Sequence, residues 1–526
     1  MIQKSLRYYH AIRNLKPDQI INRVLFPARL RAGNYRMRKW LQNNAKGAEL
    51  LLLKSPNKRV EYEPPGTFTF LNRTHAFSGE IPWNFSAEGK LWQYHLGYFD
   101  YLNQPDLTKE EGLRLIDDFI SAMDRGEIQL EPYPLSLRCV NWIKFINRNE
   151  IRDPNIDRTL YAQFCFLKRT LESHLMGNHL LENLLAMLWG ALFFQEKAWF
   201  DRTEPLLRRE LREQILEDGS HLERSPMYHL IILERILDAI NLIGHNYKDE
   251  TLLEDLLRSR ASIMLGWLDY IGFSNGELPA VNDSARDQMR PADELILYAG
   301  QLQIETAAIT PGSSGYRMIK SGKWELFIDA GNIGPDYNPG HSHCDTLSFL
   351  LYHQNKPVVV DPAVSTYENG ERRWWERSTA AHNTVQPNGA EQSDMWGAFR
   401  VGRRAHAQIL NETETEILAT HDGFKNQNTR HKRQWKWDAD SIYITDQIES
   451  DYNLVCKAHA HFHPDCKVEV QGNTIKVDNV LFKFNHHKKI ELEEYRFALG
   501  FNRLVESNKC IIYFHHHLIT EITSQS

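Results

Sequence analysis

The sequence predicts an α+β multidomain protein in which a helical region precedes antiparallel β-sheet. Three observations lead there. Segments with helical apolar spacing run through the first two thirds of the chain. From about residue 312 the pattern changes to short β-branched and aromatic runs between Gly, Asn, Asp and Pro turns. Strands no longer alternate with long helices there, so a parallel doubly wound sheet is not expected.

The amino terminus, "MIQKSLRYYHAIRNLKPDQIINRVLFPARL", reads as a basic, amphipathic first helix packed on the domain, with contact to a membrane surface as the alternative. The aromatic, Pro- and Gly-rich stretch "YEPPGTFTFLNRTHAFSGEIPWNFSAEGKLWQYHLGYFDYL" has too many residues that need burial to be a flexible linker. It is expected to be an ordered connection packed against helices. "LTKEEGLRLIDDFISAM", "RTLYAQFCFLKRTLESHL", "NHLLENLLAMLWGALFF", "EPLLRRELREQILED", "MYHLIILERILDAINLI" and "ETLLEDLLRSRASIMLGWLDYI" read as helices, paired in a bundle or toroid. The one beginning near His179 is apolar on nearly every side, which makes it an inner helix. The later runs, from "YRMIKSGKWELFIDAG" to "CIIYFHHHLITEIT", read as antiparallel strands.

With 526 residues, 42% hydrophobic and 11% aromatic, the chain can bury at least one large core. Its 62 basic and 68 acidic residues leave a formal charge of -6, which offers no global field for nucleic acid. Charges interrupt each hydrophobic stretch before membrane-spanning length, and the first residues lack the apolar run of a secretory signal. A soluble cytoplasmic protein is therefore expected, with no integral membrane segment. Six scattered cysteines make neither a disulfide framework nor a CxxC pair. GxGxxG, GxxxxGK[ST] and HExxH are all missing, so nucleotide binding and zincin chemistry lose their simplest support.

Two regions concentrate chemistry. In "NPGHSHCDTLSFLLYHQNKPVVVDPAVSTYENGERRWWERSTAAHNTV", His341 and His343 would share a face of a strand, and a hairpin could return Asp361 beside His343. His382 lies beyond. Two imidazoles and a carboxylate suit zinc, and they equally suit ordinary sheet histidines with a turn aspartate. Upstream, Asn178, His179 and Glu182 put a polar face on an otherwise apolar helix, which must be paired or line a cavity. In "DGSHLERSPMYH", Ser225 and Pro226 read as N-cap and first-turn proline, holding Tyr228 in the first turn. Tyr228 is either part of a packed helix start or a positioned acid–base group. The histidines at 459, 461 and 463 and at 515 to 517 read as sheet residues, and Cys344 lacks an identified base.

With "GNHLLEN", "DGSHLERSPMYH", "GHSHCDTLSFLL", "VVVDPAVSTY" and "AHNTV" in this order, the chain resembles the heparinase II/III superfamily of polysaccharide lyases over most of residues 80 to 520. The resemblance implies an incomplete α/α toroid followed by an antiparallel β-sandwich, with an active cleft where they meet. It divides the chain into 1–95, a helical and connecting segment packed on the toroid, 96–305, the toroid, and 306–526, the sandwich. It also implies β-elimination on uronic-acid-containing polysaccharide or oligosaccharide. Tyr228 matches the family's catalytic tyrosine, His341 its catalytic histidine, and Asn178 or His179 the group that neutralises the uronate carboxylate. Glu182 stands at the spacing of a catalytic-site glutamate. His343, Asp361 and His382 match metal ligands, with zinc in a mainly structural role.

That chemistry needs these residue types. Removing the C5 proton places charge on the adjacent carboxylate, which Asn178 or a cationic His179 can stabilise. His341 or Tyr228 takes the proton, and Tyr228 can return one to the departing O4. Arg224, Arg372, Arg373 and Arg377, with Trp374 and Trp375, are read as a wall that pairs uronate carboxylates and faces a sugar ring, or as solvated charge over buried tryptophans. The alternatives to a lyase are a toroid-fold glycoside hydrolase using Glu182 and Glu223, and a non-catalytic glycan-binding protein of surface-polysaccharide assembly. An extended helical surface could support a homodimer.

Overall fold

A computed structural model describes residues 2–247 and 252–525. Helices dominate as far as Gln301, and the first strand of the carboxy-terminal half begins at Tyr316. Inner helices Pro132–Arg148, Gly177–Phe193 and Pro226–Asn246 pack on one another, with Pro154–Leu167, Lys197–Gln214 and Leu252–Ile271 outside them. Their sequences explain the layering. Gly177–Phe193 buries nearly every residue on all sides, whereas Lys197–Gln214 buries Trp199, Thr203, Leu207 and Leu211 along a stripe and, apart from the buried Glu210, turns its charges outward. Gly190 lets the inner helix approach Phe164 of its outer neighbour, because a Cβ there would overlap the ring.

Pro17–Trp40 lies against Pro154–Leu167, and Ile2–Ile12 precedes it. The aromatic connection holds a small antiparallel sheet, Tyr62–Glu63, Thr67–Phe70 and Arg73–Ala76. Its Tyr62, Phe68 and Phe70 join Trp92 and Tyr101 in the helical core. Packing against helices is thus achieved through β-structure. Among the described residues, no helix is long and apolar enough to cross a membrane.

The carboxy-terminal half is a sandwich. One face is an eight-stranded antiparallel sheet in the order 468–471, 474–477, 480–485, 517–524, 441–450, 429–437, 416–421, 407–413. Opposite it, the meander 316–321, 324–329, 348–353, 356–359 meets a second four-stranded sheet, 489–500, 503–514, 456–461, 385–387. A bridge between Val359 and Phe462 joins these two sheets. Leu326, Ile328, Phe349 and Leu351 pack with Trp435, Ile442, Ile444 and Phe482 in the shared core. The hairpin after His353 turns through Gln354 and Asn355, both at positive φ.

Three elements depart from the sequence reading. The segment expected to be helical over 158–175 stops at Leu167, and the chain turns so that Glu172 reaches back to the next helix. Pro132–Arg148 carries two prolines in its first turn and buries residues all round, so it shows no stripe. The strand Lys489–Gly500 opens on "KIELEE", whose charges face solvent and conceal its alternation.

Candidate active site

Toroid and sandwich meet along a cleft of about 1240 Å³. Asn178, His179 and Tyr228 line it from the helical side, and His341, Tyr367 and Phe399 line it from the other.

Asn178 and His179 stand at the start of an inner helix. The turn before it takes Met176 and Gly177 through positive φ. Glycine is required at 177, since a Cβ would collide with the Glu223 carboxylate. That closeness lets Glu223 accept from the Asn178 backbone N–H at 3.0 Å and from its Nδ2 at 2.9 Å. The Asn178 Oδ1 is buried and without a partner. His179 Nδ1 lies 3.2 Å from Glu172 Oε1, and its ring packs 4.5 Å from Tyr133. Burial opposes the charged imidazole, but the charge and hydrogen bond of Glu172 outweigh it and raise its pKa above the ordinary histidine value.

Tyr228 occupies the first turn of Pro226–Asn246. Ser225 is the N-cap, accepting from the Tyr228 N–H at 3.3 Å while its hydroxyl donates to the Asp283 carbonyl at 2.9 Å. The Tyr228 ring lies 4.1 Å from that of His341, and the Tyr228 and Tyr367 hydroxyls are 3.4 Å apart. Burial, followed by the neighbouring Tyr367 and Tyr133 phenols, pushes the Tyr228 pKa well above that of a free tyrosine. The phenol is therefore held in its protonated form, poised to donate.

His341 and His343 leave the loop before Ser348 and converge on one carboxylate. Asp283 Oδ2 lies 2.9 Å from His341 Nδ1, and Oδ1 lies 2.9 Å from His343 Nε2. Arg373 grips the same carboxylate with both terminal nitrogens, NH2 at 2.7 Å. Burial would raise the Asp283 pKa, yet Arg373 and the two imidazoles hold it well below the usual carboxylate range. An ionised Asp283 favours the His341 tautomer in which Nδ1–H donates, and Nε2 makes no hydrogen bond but lies 3.9 Å from Glu223 Oε2. Sequence reading passed over Asp283, since the "VNDSARD" turn carries no motif and its partners are remote in the chain.

The remaining expectations divide. Glu182 does not face the cleft; it is buried and accepts from Arg235 Nε at 2.7 Å, so it positions a cleft-lining arginine instead. The expected Arg and Trp wall is corrected. Arg373 is fully buried on Asp283 and stacks on Tyr367 and Phe399. Arg377 is buried and donates to the carbonyls of Ser342, Gly397 and Ala398. Arg372 pairs with Glu376 at 2.8 Å and stacks on Trp375, while Trp374 donates to Asn369 outside the cleft. Arg224, at positive φ, donates to the Ser313 carbonyl and also lies outside the cleft lining. For Arg372, Arg373 and Arg377 a nearby carboxylate or carbonyl takes the guanidinium before substrate can, whereas Arg224 keeps Nε and one terminal nitrogen buried without a partner.

His343, Asp361 and His382 are all buried, with His382 Nδ1 2.7 Å from Asp361 Oδ2 and its ring 5.3 Å from that of His343. Among the described residues, no group of three or more His, Cys, Asp or Glu side chains is gathered closely enough to hold an ion. The donor types nonetheless suit zinc, and His343 Nδ1 is buried without a partner while Asp283 secures Nε2, as a ligating imidazole requires.

The heparinase II/III N-terminus family model matches residues 146–296, and the heparinase II/III-like C-terminal model matches 308–525. A heparin-sulfate lyase of Bacteroides stercoris is 27% identical over 242 residues, covering 40% of this chain and 36% of that protein. An exo-oligoalginate lyase of Saccharophagus degradans is 32% identical over 82 residues, covering 14% of this chain and 11% of that one. The chain thus matches little more than a third of the first relative's length and a ninth of the second's. A crystal structure of heparinase III has the same fold, with a TM-score of 0.66 at 14% identity over 97% of this chain and 92% of that one. Together the two family models cover the toroid helices from Pro154 to Ile271, with Tyr228 among them, and the whole sandwich with His341, and the chain belongs to the heparinase II/III superfamily.

Proposed function

We propose that the protein is a polysaccharide lyase that cleaves a uronic-acid-containing polysaccharide or oligosaccharide by β-elimination. The observation that carries this reading is the facing pair of Tyr228 and His341, 4.1 Å ring to ring, one from each domain, in a cleft also lined by Asn178 and His179. His341, oriented by Asp283, takes the C5 proton through Nε2. Tyr228, protonated by burial, supplies a proton to O4 as the C4–O4 bond breaks and the C4=C5 double bond forms. His179, whose charged form Glu172 favours, and the Asn178 Nδ2 hydrogen not given to Glu223 serve the uronate carboxylate on which charge develops.

Hydrolysis is not favoured. Its two candidate carboxylates are engaged elsewhere, Glu182 with Arg235 and Glu223 with Asn178. We also propose that His343, Asp361 and His382 hold zinc, supported by their donor types, their burial and the unpartnered Nδ1 of His343. Bound zinc would supply fixed positive charge that pins the loop carrying His341.

The test is incubation with a panel of uronic-acid glycans, followed by ultraviolet absorbance and product mass. Unsaturated products without added water support elimination, and Tyr228→Phe is expected to lower kcat by roughly 100-fold or more while glycan binding persists. Products bearing water and no double bond would sink the proposal.

A further inference from the structure

Along the helix that carries Tyr228, the cleft wall changes character. Ile231, Glu234 and Arg235 follow Tyr228 on the same face and line the same cleft, the last about 10 Å farther along the axis. There Lys58, Arg235 and Arg290 interlock with Asp100, Glu182 and Glu234. Lys58 Nζ lies 2.8 Å from Glu234 and 3.5 Å from Asp100, Arg235 Nε lies 2.7 Å from Glu182, and Arg290 Nε lies 3.5 Å from Glu234. Their side chains are only 5 to 18% exposed. Arg290 also pairs with Glu294 at the rim, so three cations face four carboxylates, and the wall presents hydrogen-bonding groups with no excess positive charge.

Neighbouring groups do not alter that. Glu61 and His95 line the same wall, with Glu61 Oε1 3.8 Å from His95 Nδ1. Burial, helped by the charge of Asp100, pushes the Glu61 carboxyl up to about 8, so it keeps its proton near neutrality. Burial lowers His95 to about 4, so it stays uncharged. Arg404 is taken by the Asp336 carbonyl. Arg23, Arg59 and Arg400 also line the cleft, but at its exposed rim, where salt screens them.

We propose that this wall is a subsite for an uncharged, hydroxyl-rich sugar beside the uronate held at Tyr228 and His341, so that the preferred glycan carries no sulfate at that position. The inference rests on the uronate-glycan reading and narrows it. Hydroxyls donate to Glu234 and Asp100 and accept from Lys58, Arg235 and Arg290, so they satisfy both kinds of partner without breaking an ion pair. A sulfate would have to displace a carboxylate from a largely buried pair or lie beside it as a like charge, and both are unfavourable.

The experiment compares two probes, an unsulfated oligosaccharide of alternating uronic acid and neutral sugar and the same oligosaccharide O-sulfated on the neutral sugar. Calorimetric binding to full-length Tyr228→Phe protein is measured at roughly 0.15 M salt. The unsulfated probe is expected to bind about tenfold or more tightly. Glu234→Gln should narrow the gap by strengthening binding of the sulfated probe. Glu294→Gln, which releases Arg290 at the rim, should act in the same direction if the first variant does not fold. Equal or tighter binding of the sulfated probe, or no binding of either, overturns the proposal. Parallel incubation with the unsubstituted protein reads the chemistry separately. A preference for the unsulfated probe without unsaturated product would uphold the subsite and reject the lyase reading.

Discussion

Asp283 and His341 meet across the domain boundary, with 2.9 Å between Oδ2 and Nδ1. The aspartate lies between the last toroid helices and the histidine on a sandwich loop, so the His341 ring is oriented only when both parts of the chain are in place. Asp283→Asn removes the charge that favours the Nδ1–H tautomer while nearly preserving shape. We expect kcat to fall by roughly 100-fold with little change in KM, because orientation and not binding is lost. Steady-state kinetics on a uronate glycan checks this, and an unchanged kcat would detach Asp283 from the reaction.

Arg373 and Trp374 are adjacent in sequence but opposite in surroundings. Arg373 is fully buried on Asp283, whereas Trp374 is 49% exposed. Arg373→Ala leaves an uncompensated buried carboxylate, and chemical denaturation should show a loss of roughly 3–5 kcal/mol. Trp374→Ala should leave both stability and turnover nearly unchanged. A large KM effect from Trp374→Ala would restore the substrate-wall reading.

Glu172 raises the pKa of His179, so the charged imidazole persists above the ordinary histidine range. If that charge binds the uronate carboxylate, affinity is full at lower pH and declines as pH rises through the raised value. Glu172→Gln removes the largest raising interaction and leaves burial opposed only by the charges of Glu223 and Glu182. The decline should then begin at lower pH. Probe affinity measured from acid to alkaline pH, in parent and variant, would show the displacement; coincident profiles would argue against a charged His179 in binding.

The zinc proposal has a readout apart from turnover. Protein purified without chelator should contain about one zinc per chain by elemental analysis, and His343→Ala or His382→Ala should lose it. Chelation should lower the melting temperature, since an ion that binds the folded state stabilises it. Metal-free protein with an unchanged melting temperature would leave the three residues as an ordinary buried polar cluster.

The helix and strand periods were legible because burial on one face repeats every 3.6 or two residues, and the core demands it. The all-round apolar character of Gly177–Phe193 identified an inner helix, and Ser225–Pro226 identified the helix start at Tyr228. Asn178, His179, Tyr228 and His341 were legible as polar groups in settings that require a reason for them. The strand Lys489–Gly500 and the helix Pro132–Arg148 were hidden, one by charges on its solvent side and the other by burial on every side.

By itself the sequence determined which residue types were available and how they were placed on local elements. Only the tertiary structure decided which charges remain free. The arginines of "ERRWWERS" read equally as a substrate wall or as solvated charge, and the structure gives them instead to Asp283, Glu376 and backbone carbonyls from remote segments. The same holds for Glu182 with Arg235 and for the ion-paired wall around Glu234. The physical reason is that a buried charge must find its partner in space, and the chain brings that partner from any distance in sequence.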